Sequence, residues 1–162
     1  MPKSPLLRSV TVGELIRRLD AQVICCPEKD QLLVETLSIG AMGVNSAMEF
    51  FRRRRNMAVV TGADRTDIQL AALEASTQCL ILTGLGEPLS QLIHRAEELE
   101  VPILKVELDT LASVEIIEQA FGHVRIHESI KASYAIQLVQ ENVNLKGILE
   151  KIEFPCNFSD KC

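Results

Sequence analysis

The feature that most constrains the fold is a regular alternation between short apolar runs and segments with helical spacing. The apolar runs recur about every 22 residues, which is the length of one strand-and-helix unit. Runs that are apolar throughout are typical of strands buried on both faces, and strands that alternate with helices form mostly parallel sheets. The sequence therefore predicts an α/β fold in which helices cover both faces of the sheet. The predicted strands are residues 22–25, 36–39, 57–61, 79–83 and 103–108.

Residues with capping chemistry predict where the helices begin. Thr11 and Glu14 have the spacing of a capping box, in which each side chain binds the backbone N–H of the other residue. This pair predicts a helix over residues 12–19. The other predicted starts are at Asn45, at Asp64 with Asp67 in the first turn, at Pro88, and at Asp109 or Thr110.

The chain of 162 residues has about the size of one domain. Residues 1–10 contain two prolines and no periodicity, which is typical of a lead-in or linker. Residues 11–152 are predicted to form the α/β domain. Residues 153–162 show no period and are predicted to be a flexible tail.

The composition narrows the classes of function. A formal net charge of -5, an aromatic content of 4% and the absence of Trp argue against a nucleic-acid-binding protein. No apolar run is long enough to span a bilayer, and the first twelve residues lack the apolar core of a secretory signal, which favours a cytoplasmic protein. Five cysteines without a C-x-x-C pair predict neither a disulfide framework nor a zinc site, and Cys79 is predicted to be a core residue.

The segment after the third predicted strand is the first candidate site. Gly62, Asp64, Arg65 and Thr66 lie at the carboxyl end of a strand, where α/β sheets bind ligands. Backbone N–H groups at a helix start attract anions, and Arg65 offers a bidentate clamp. Asp64 and Asp67 have the spacing of a helix cap, however, and would then fill the positions that a phosphate needs. A cap with a turn, and a ligand or interface contact, are both open interpretations.

A glycine-containing turn follows the next predicted strand. Thr83, Gly84 and Gly86 belong to a segment with two of the three glycines of a dinucleotide fingerprint, and it lacks the lysine of a P-loop. A tight structural turn is the main interpretation, and a ligand or interface contact is the alternative. Asp109 and Thr110, which follow the last predicted strand, belong to the same candidate set.

The remaining polar motifs predict no chemistry. Four consecutive arginines at positions 52–55 suit the C-terminal end of a helix, with an acidic partner or a nucleotide phosphate as the alternative. His123 and His127 are four residues apart, but Gly122 argues against a continuous helix there and hence against a metal site on this spacing. No nucleophile with a recognisable histidine and acidic partner is present. The sequence therefore predicts no catalytic residue, no metal and no cofactor.

The last predicted helix, residues 127–142, carries more apolar surface than one face can bury. Ile130, Tyr134, Leu138 and Val139 contribute to this surface. A contact with another subunit or domain, and packing on its own domain, are both open interpretations.

Three segments resemble the DRTGG domain family in content, order and spacing. They are VVTGADRTDIQLAAL (59–73), CLILTGLGEP (79–88) and VPILKVELDTLASVEII (101–117). The resemblance extends back to about Thr11 and so covers most of the chain.

The motif that gives this family its name is only partly matched. Asp64, Arg65 and Thr66 match it, whereas Asp67 and Ile68 replace its two glycines. The same replacement is common in the relatives found in phosphotransacetylases. It argues against phosphate binding through a bare glycine nest.

The resemblance implies a three-layer α/β/α sandwich similar to the amino-terminal domain of HPr kinase. It also implies a domain without catalysis that regulates or oligomerises, beside an ATPase-like domain, an acetyltransferase domain or nucleotide-sensing CBS domains. We therefore expect a regulatory and oligomerisation module of a phosphotransacetylase-related protein, most simply a homodimer. The alternatives are a sensor for a small anionic metabolite or adenine nucleotide at the strand-end loops, and an acyl- or phosphoryl-transfer enzyme.

Overall fold

The computed structural model describes residues 6–122 and 129–142. The chain divides into two compact units. Residues 4–124 form one unit, and the other contains the last helix. The strands are β1 (Val10–Thr11), β2 (Gln22–Cys25), β3 (Leu33–Val34), β4 (Thr36–Ile39), β5 (Met57–Gly62), β6 (Thr77–Thr83) and β7 (Ile103–Val106). The helices are α1 (Val12–Leu19), α2 (Val44–Arg52), α3 (Thr66–Leu73), α4 (Ser90–Glu98), α5 (Thr110–Gly122) and α6 (Ser129–Asn142). The predicted domain limit at residue 152 and the predicted tail over 153–162 lie outside the described residues.

The main sheet has five strands in the order β2-β7-β6-β5-β4. Strands β4, β5, β6 and β7 are parallel, and paired residues of neighbouring parallel strands are 20 to 23 positions apart in the sequence. This spacing is that of the repeat seen in the sequence, and the predicted mostly parallel sheet is confirmed. Only β2 departs from it, since it pairs antiparallel with β7 at one edge.

Two cores lie on opposite faces of the sheet because successive strand residues point to opposite sides. Met57 and Val59 of β5 pack with residues of α2, α3 and α4, such as Phe51. Ala58 and Val60 of the same strand pack with residues of α1 and α5. Right-handed crossovers explain why the helices that connect consecutive parallel strands share one face. The three-layer α/β/α arrangement is therefore confirmed.

A small two-stranded antiparallel sheet, β1 with β3, was not predicted. Val10 and Val34 pair within it and are buried. Backbone bonds from Val12 N–H to the Leu32 carbonyl (3.0 Å) and from Gly13 N–H to the Asp30 carbonyl (2.7 Å) continue the connection. Strands of two residues are too short to show an alternation, so nothing in the sequence marks them.

The predicted helix starts are partly correct. The Thr11 hydroxyl accepts a hydrogen bond from Glu14 N–H at 3.2 Å, which is one of the two bonds of the predicted capping box, and the Glu14 carboxylate accepts a bond from Arg18 Nε at 2.9 Å. At α5, Asp109 is the capping side chain, since its carboxylate accepts a bond from Ala112 N–H at 2.8 Å. The other three predicted helix starts were wrong. In those helices the residue at the N-cap makes no side-chain hydrogen bond, so no capping side chain marks the start. The residues at their N-caps are Gly43 rather than Asn45, Arg65 rather than Asp64, and Leu89 rather than a residue before Pro88.

The described part of helix α6 is Ser129–Asn142, and the predicted start at residue 127 lies outside the described residues. Residues 123–128, including His123 and His127, lie outside the described part. Within residues 6–122 and 129–142, no helix combines the length and the apolarity needed to cross a membrane.

Candidate functional site

The carboxyl ends of the four parallel strands meet at one edge of the sheet, which we call the carboxyl rim. It consists of residues 40–43 after β4, residue 62 at the end of β5 with 63–65 after it, 84–89 after β6, and 107–111, which follow β7 and include the start of α5. The strands follow one another in sequence order, so no reversal of strand order opens a crevice between them. The loops themselves therefore determine what the rim can bind.

Arg65 holds two of these loops together. Its guanidinium donates from Nη2 to the Met42 carbonyl and from Nε to Asp67 Oδ1, each at 3.2 Å. The hydrogen bond from Arg65 lowers the pKa of the Asp67 carboxyl. The Arg65 charge is thus already matched within the chain, and an incoming anion must compete with Asp67 for it.

Asp64 lies over the neighbouring Gly62. A Cβ added at Gly62 would be 2.5 Å from the Asp64 carboxylate oxygen Oδ1, so a side chain at this position would displace the carboxylate. Gln69 anchors the same turn, since its Nε2 donates to the Gly62 carbonyl at 2.9 Å from a fully buried side chain. The Gln69 side-chain oxygen has no hydrogen-bond partner among the described residues. Sequence analysis did not identify Gln69, because it occupies an ordinary core position of α3.

Thr83 and Thr110, two predicted site residues, are brought into direct contact. Their hydroxyl oxygens are 2.8 Å apart, and the Thr83 hydroxyl also donates to the Thr61 carbonyl at 3.3 Å. Ala63 N–H donates to the Thr83 carbonyl at 3.0 Å. These bonds tie the ends of β5 and β6 to the first residue of α5, so the hydroxyls hold the rim together.

The two glycines after β6 support the interpretation as a tight turn. Gly84 has a φ of +87°, a conformation that residues with a Cβ rarely adopt. A Cβ on Gly86 would be 3.0 Å from Cβ of Ala63, which shows how closely this turn approaches the neighbouring loop.

Large apolar side chains are exposed along the rim, and sequence analysis did not single them out. Leu85 is 87% exposed, Leu111 is 77% exposed and Leu89 is 54% exposed. Leu108 is also exposed. Nothing in the sequence marks them as exposed, since Leu111 has helical spacing with the buried Val114 and Ile117 and would suit the apolar side of α5.

Carboxylates outnumber cations on the rim. Arg65 pairs with Asp67, and Lys105 of β7 pairs with Glu87. Asp64, Glu107 and Asp109 have no ion-pair partner within the described part of the chain. The surface around the leucines is therefore acidic.

The other candidates lie away from the rim. The arginines at positions 52–55 begin at the last residue of α2 and continue beyond it; Arg54 stacks on the Phe50 ring at 4.3 Å and Arg53 pairs with Glu49 at 2.6 Å. Leu138 of α6 is buried, Tyr134 and Val139 are half-buried, and the Ile130 side chain is outside the described set.

Cys25 and Cys79 are core residues. Cys79 is fully buried, as predicted, and burial raises its pKa. Burial also raises the pKa of Cys25 to about 11. Both side chains are therefore neutral thiols at physiological pH, which makes them poor nucleophiles.

Comparison with known proteins identifies relatives of this chain. The sequence model of the DRTGG domain matches residues 14–120, about two thirds of the chain. A phosphate acetyltransferase of Nitratidesulfovibrio vulgaris is 24% identical over 155 residues, which cover 89% of this chain. A similar solved structure contains the CBS and DRTGG domains of the regulatory region of Clostridium perfringens pyrophosphatase, complexed with the activator diadenosine tetraphosphate. It has a TM-score of 0.61 and 21% identity over 74% of this chain, a likeness in fold.

This chain is much shorter than the proteins it matches. It spans 22% of the phosphate acetyltransferase and 52% of the pyrophosphatase regulatory region.

Proposed function

We propose that this chain, which belongs to the DRTGG domain family, is a non-catalytic regulatory and assembly module of a larger, phosphotransacetylase-related protein in the cytoplasm. One observation carries the proposal. At the carboxyl rim Arg65 binds Asp67 and Thr83 binds Thr110, while the leucines at positions 85, 89 and 111 remain exposed. A catalytic site needs polar groups aimed at a substrate, whereas exposed apolar groups favour contact with a protein surface.

We further propose that α6 supplies a contact between two copies of the chain. Ile136 is 59% exposed on this helix, and Tyr134 and Val139 are only half-buried. Burying such side chains against a second copy would remove apolar surface from water. A homodimer is the simplest assembly that does so.

Sedimentation velocity at tens of micromolar tests the assembly. The expected result is a dimer for the wild type and a monomer for Ile136→Lys. The matched control is Leu99→Lys, at a residue 38% exposed at the C-terminal end of α4, which should remain a dimer. A monomeric wild type would contradict the proposed assembly.

Activity assays test the absence of catalysis. The isolated chain is expected neither to hydrolyse ATP nor to form acetyl phosphate from acetyl-CoA. Turnover that survives further purification would contradict a purely regulatory role and favour the transfer-enzyme alternative.

The second candidate function is a sensor for a small anionic metabolite or an adenine nucleotide at the rim. Two observations favour it: loops at the carboxyl ends of parallel strands are common ligand sites, and the pyrophosphatase regulatory region in the similar structure binds diadenosine tetraphosphate. The contact between Arg65 and Asp67 gives this candidate a sharp test.

Thermal unfolding with ATP, diadenosine tetraphosphate and acetyl phosphate measures such binding. If an anion binds Arg65, Asp67→Asn should strengthen binding because it removes the competing carboxylate, and Arg65→Ala should abolish it. Arg53→Ala, at an exposed arginine on α2, is the control and should bind like the wild type. Unchanged unfolding temperatures with all three ligands would remove the sensor hypothesis for these compounds.

A further inference from the structure

We propose that the carboxyl rim docks a basic, apolar segment of a partner protein, in which leucine-like side chains are flanked by lysines or arginines. This inference rests on the proposed function, and it names the kind of partner that the assembly module recognises through the rim. Two independent properties of the rim lead to it, an apolar patch and an unmatched negative charge.

The apolar patch is held together by the contact between Thr83 and Thr110. Leu85 follows Thr83 by two residues and Leu111 follows Thr110 directly, so the 2.8 Å contact between the two hydroxyls brings the chain positions of both leucines to the same edge of the sheet. They are 87% and 77% exposed, far more than isolated exposed leucines such as Leu99 at 38%. Clusters of exposed leucines on a folded domain mark protein contacts.

The negative charge of the rim favours a positively charged partner. Asp64, Glu107 and Asp109 lie in the strand-end loops at the same edge of the sheet and have no ion-pair partner among the described residues. The two rim cations, Arg65 and Lys105, are already paired with Asp67 and Glu87. A positively charged segment would therefore find complementary charge around the patch.

A groove beside the rim adds a place for a cationic side chain. It has a volume of about 500 Å³ and extends from β7 to the end of α1 and the start of β2. Its lining includes Asp20, Glu107 and Leu108. Two cations also line it, but Arg18 is paired with Glu14 and Lys105 is paired with Glu87, so the charges left without an ion-pair partner in the groove are carboxylates.

The same charges disfavour a second copy of this chain as the occupant. A twofold contact through the rim would place each patch against its own equivalent. Asp64, Glu107 and Asp109 of one copy would then face the same carboxylates of the other, and like charges at an interface oppose association. Self-association is therefore assigned to α6, and the rim is left for a different protein.

Photo-cross-linking in the cell tests the identity of the partner. A photoreactive phenylalanine derivative replaces Leu85 in one sample and Leu99 in the control, and mass spectrometry identifies the cross-linked peptides. The expected result is a segment with net positive charge and apolar residues, cross-linked from position 85 but not from position 99. Acidic or uncharged segments, segments of this chain itself, or no cross-link specific to position 85 would overturn the inference.

Fluorescence anisotropy with a synthetic peptide of the cross-linked segment tests the energetics. The double variant Leu85→Ser/Leu111→Ser should weaken binding by about tenfold or more, as expected for central apolar contacts. Leu99→Ser should bind like the wild type. Binding should also weaken when ionic strength rises from about 50 to about 300 mM, because salt screens the rim charges. Equal affinity of the double variant and the wild type, or binding independent of salt, would contradict the inference.

The oligomeric state of the rim variant distinguishes a failure of this inference from a failure of the proposed function. Leu85→Ser/Leu111→Ser should keep the oligomeric state of the wild type in sedimentation velocity, because α6 and not the rim is assigned to self-association. A dimer without a cross-link from position 85 would refute the partner and leave the assembly module intact. Loss of the dimer in the rim variant would refute the assignment of the rim to a basic partner.

Discussion

Gly40 is the position where a single added atom should disturb the carboxyl rim most. A Cβ there would lie 2.5 Å from Cγ2 of Ile68 and 3.0 Å from Cβ of Thr61, whereas carbon atoms in contact are normally about 3.5 to 4.0 Å apart. Ile68 is fully buried and β-branched, so its side chain cannot turn aside. Inserting atoms into a packed core costs about 1–3 kcal/mol, which is the loss expected for Gly40→Ser.

Gly43 offers the matched control in the same loop. No atom lies within 4 Å of a Cβ added there, and its backbone is extended (φ -69°, ψ 155°) at the N-cap of α2. Gly43→Ser should therefore leave stability unchanged or raise it by about half a kcal/mol, because serine is a good N-cap residue. Replacing a glycine also lowers the conformational entropy of the unfolded chain, which stabilises the folded state. This gain is the same for both substitutions and cancels when their stabilities are compared.

Urea unfolding followed by circular dichroism measures the difference. Gly40→Ser should lower the midpoint at an unchanged slope and leave the protein about 1–3 kcal/mol less stable than Gly43→Ser. In an Ile68→Ala background the penalty of Gly40→Ser should shrink, because the clashing methyl is gone. Equal stabilities of the two serine variants would refute the packing argument, as would an undiminished penalty in the Ile68→Ala background.

Three further predictions concern single side chains. Thr83→Val should cost about 1–2 kcal/mol because it removes the hydrogen bonds of the Thr83 hydroxyl to Thr110 and to the Thr61 carbonyl, and a variant with the thermal stability of the wild type would show that these contacts contribute nothing. At pH 8 iodoacetamide should modify Cys25, whose pKa burial raises to about 11, only after urea unfolds the chain; rapid labelling of the folded protein in peptide mass spectra would contradict its burial. The hydrogen bond from Lys29 lowers the pKa of Glu100 below its ordinary 4.5, so this pair stabilises the fold above that value and the benefit disappears as pH falls through the lowered pKa. Lys29→Met should therefore reduce the drop in unfolding midpoint between neutral and acidic pH, and an unchanged drop would exclude a contribution from the pair.

Much of the sheet could be predicted from the sequence because its inner strands are buried on both faces. β2 and β4 have the predicted limits, and β5 and β6 differ by one or two residues. The antiparallel direction of β2 could not be predicted, since an apolar run carries no sign of strand direction. The pairing of β1 with β3 depends on residues distant in sequence and on strands too short to show a pattern.

The rim was predicted in part. Because parallel strands end at the same edge of the sheet, the sequence predicts that Thr83 and Thr110 lie at that edge. Their direct contact depends on where α5 begins relative to the end of β6. The start of α3 was wrong because Asp64 resembles a cap in sequence, whereas its side chain lies over Gly62. The exposure of Leu85 and Leu111 required coordinates, since the same leucines would suit a core if the turns were folded inward.

The edge strand β2 is expected to join the sheet late during folding. Gln22 pairs with Lys105, 83 positions away, whereas the parallel pairs join residues no more than 23 positions apart. Closing so long a segment is slower than zipping neighbouring units, so β5 and β6 should form the folding nucleus and β2 should dock late. The backbone amides of β2 should accordingly exchange with deuterium well before those of β5 and β6, and the reverse order would show that the amino-terminal segment is part of the nucleus.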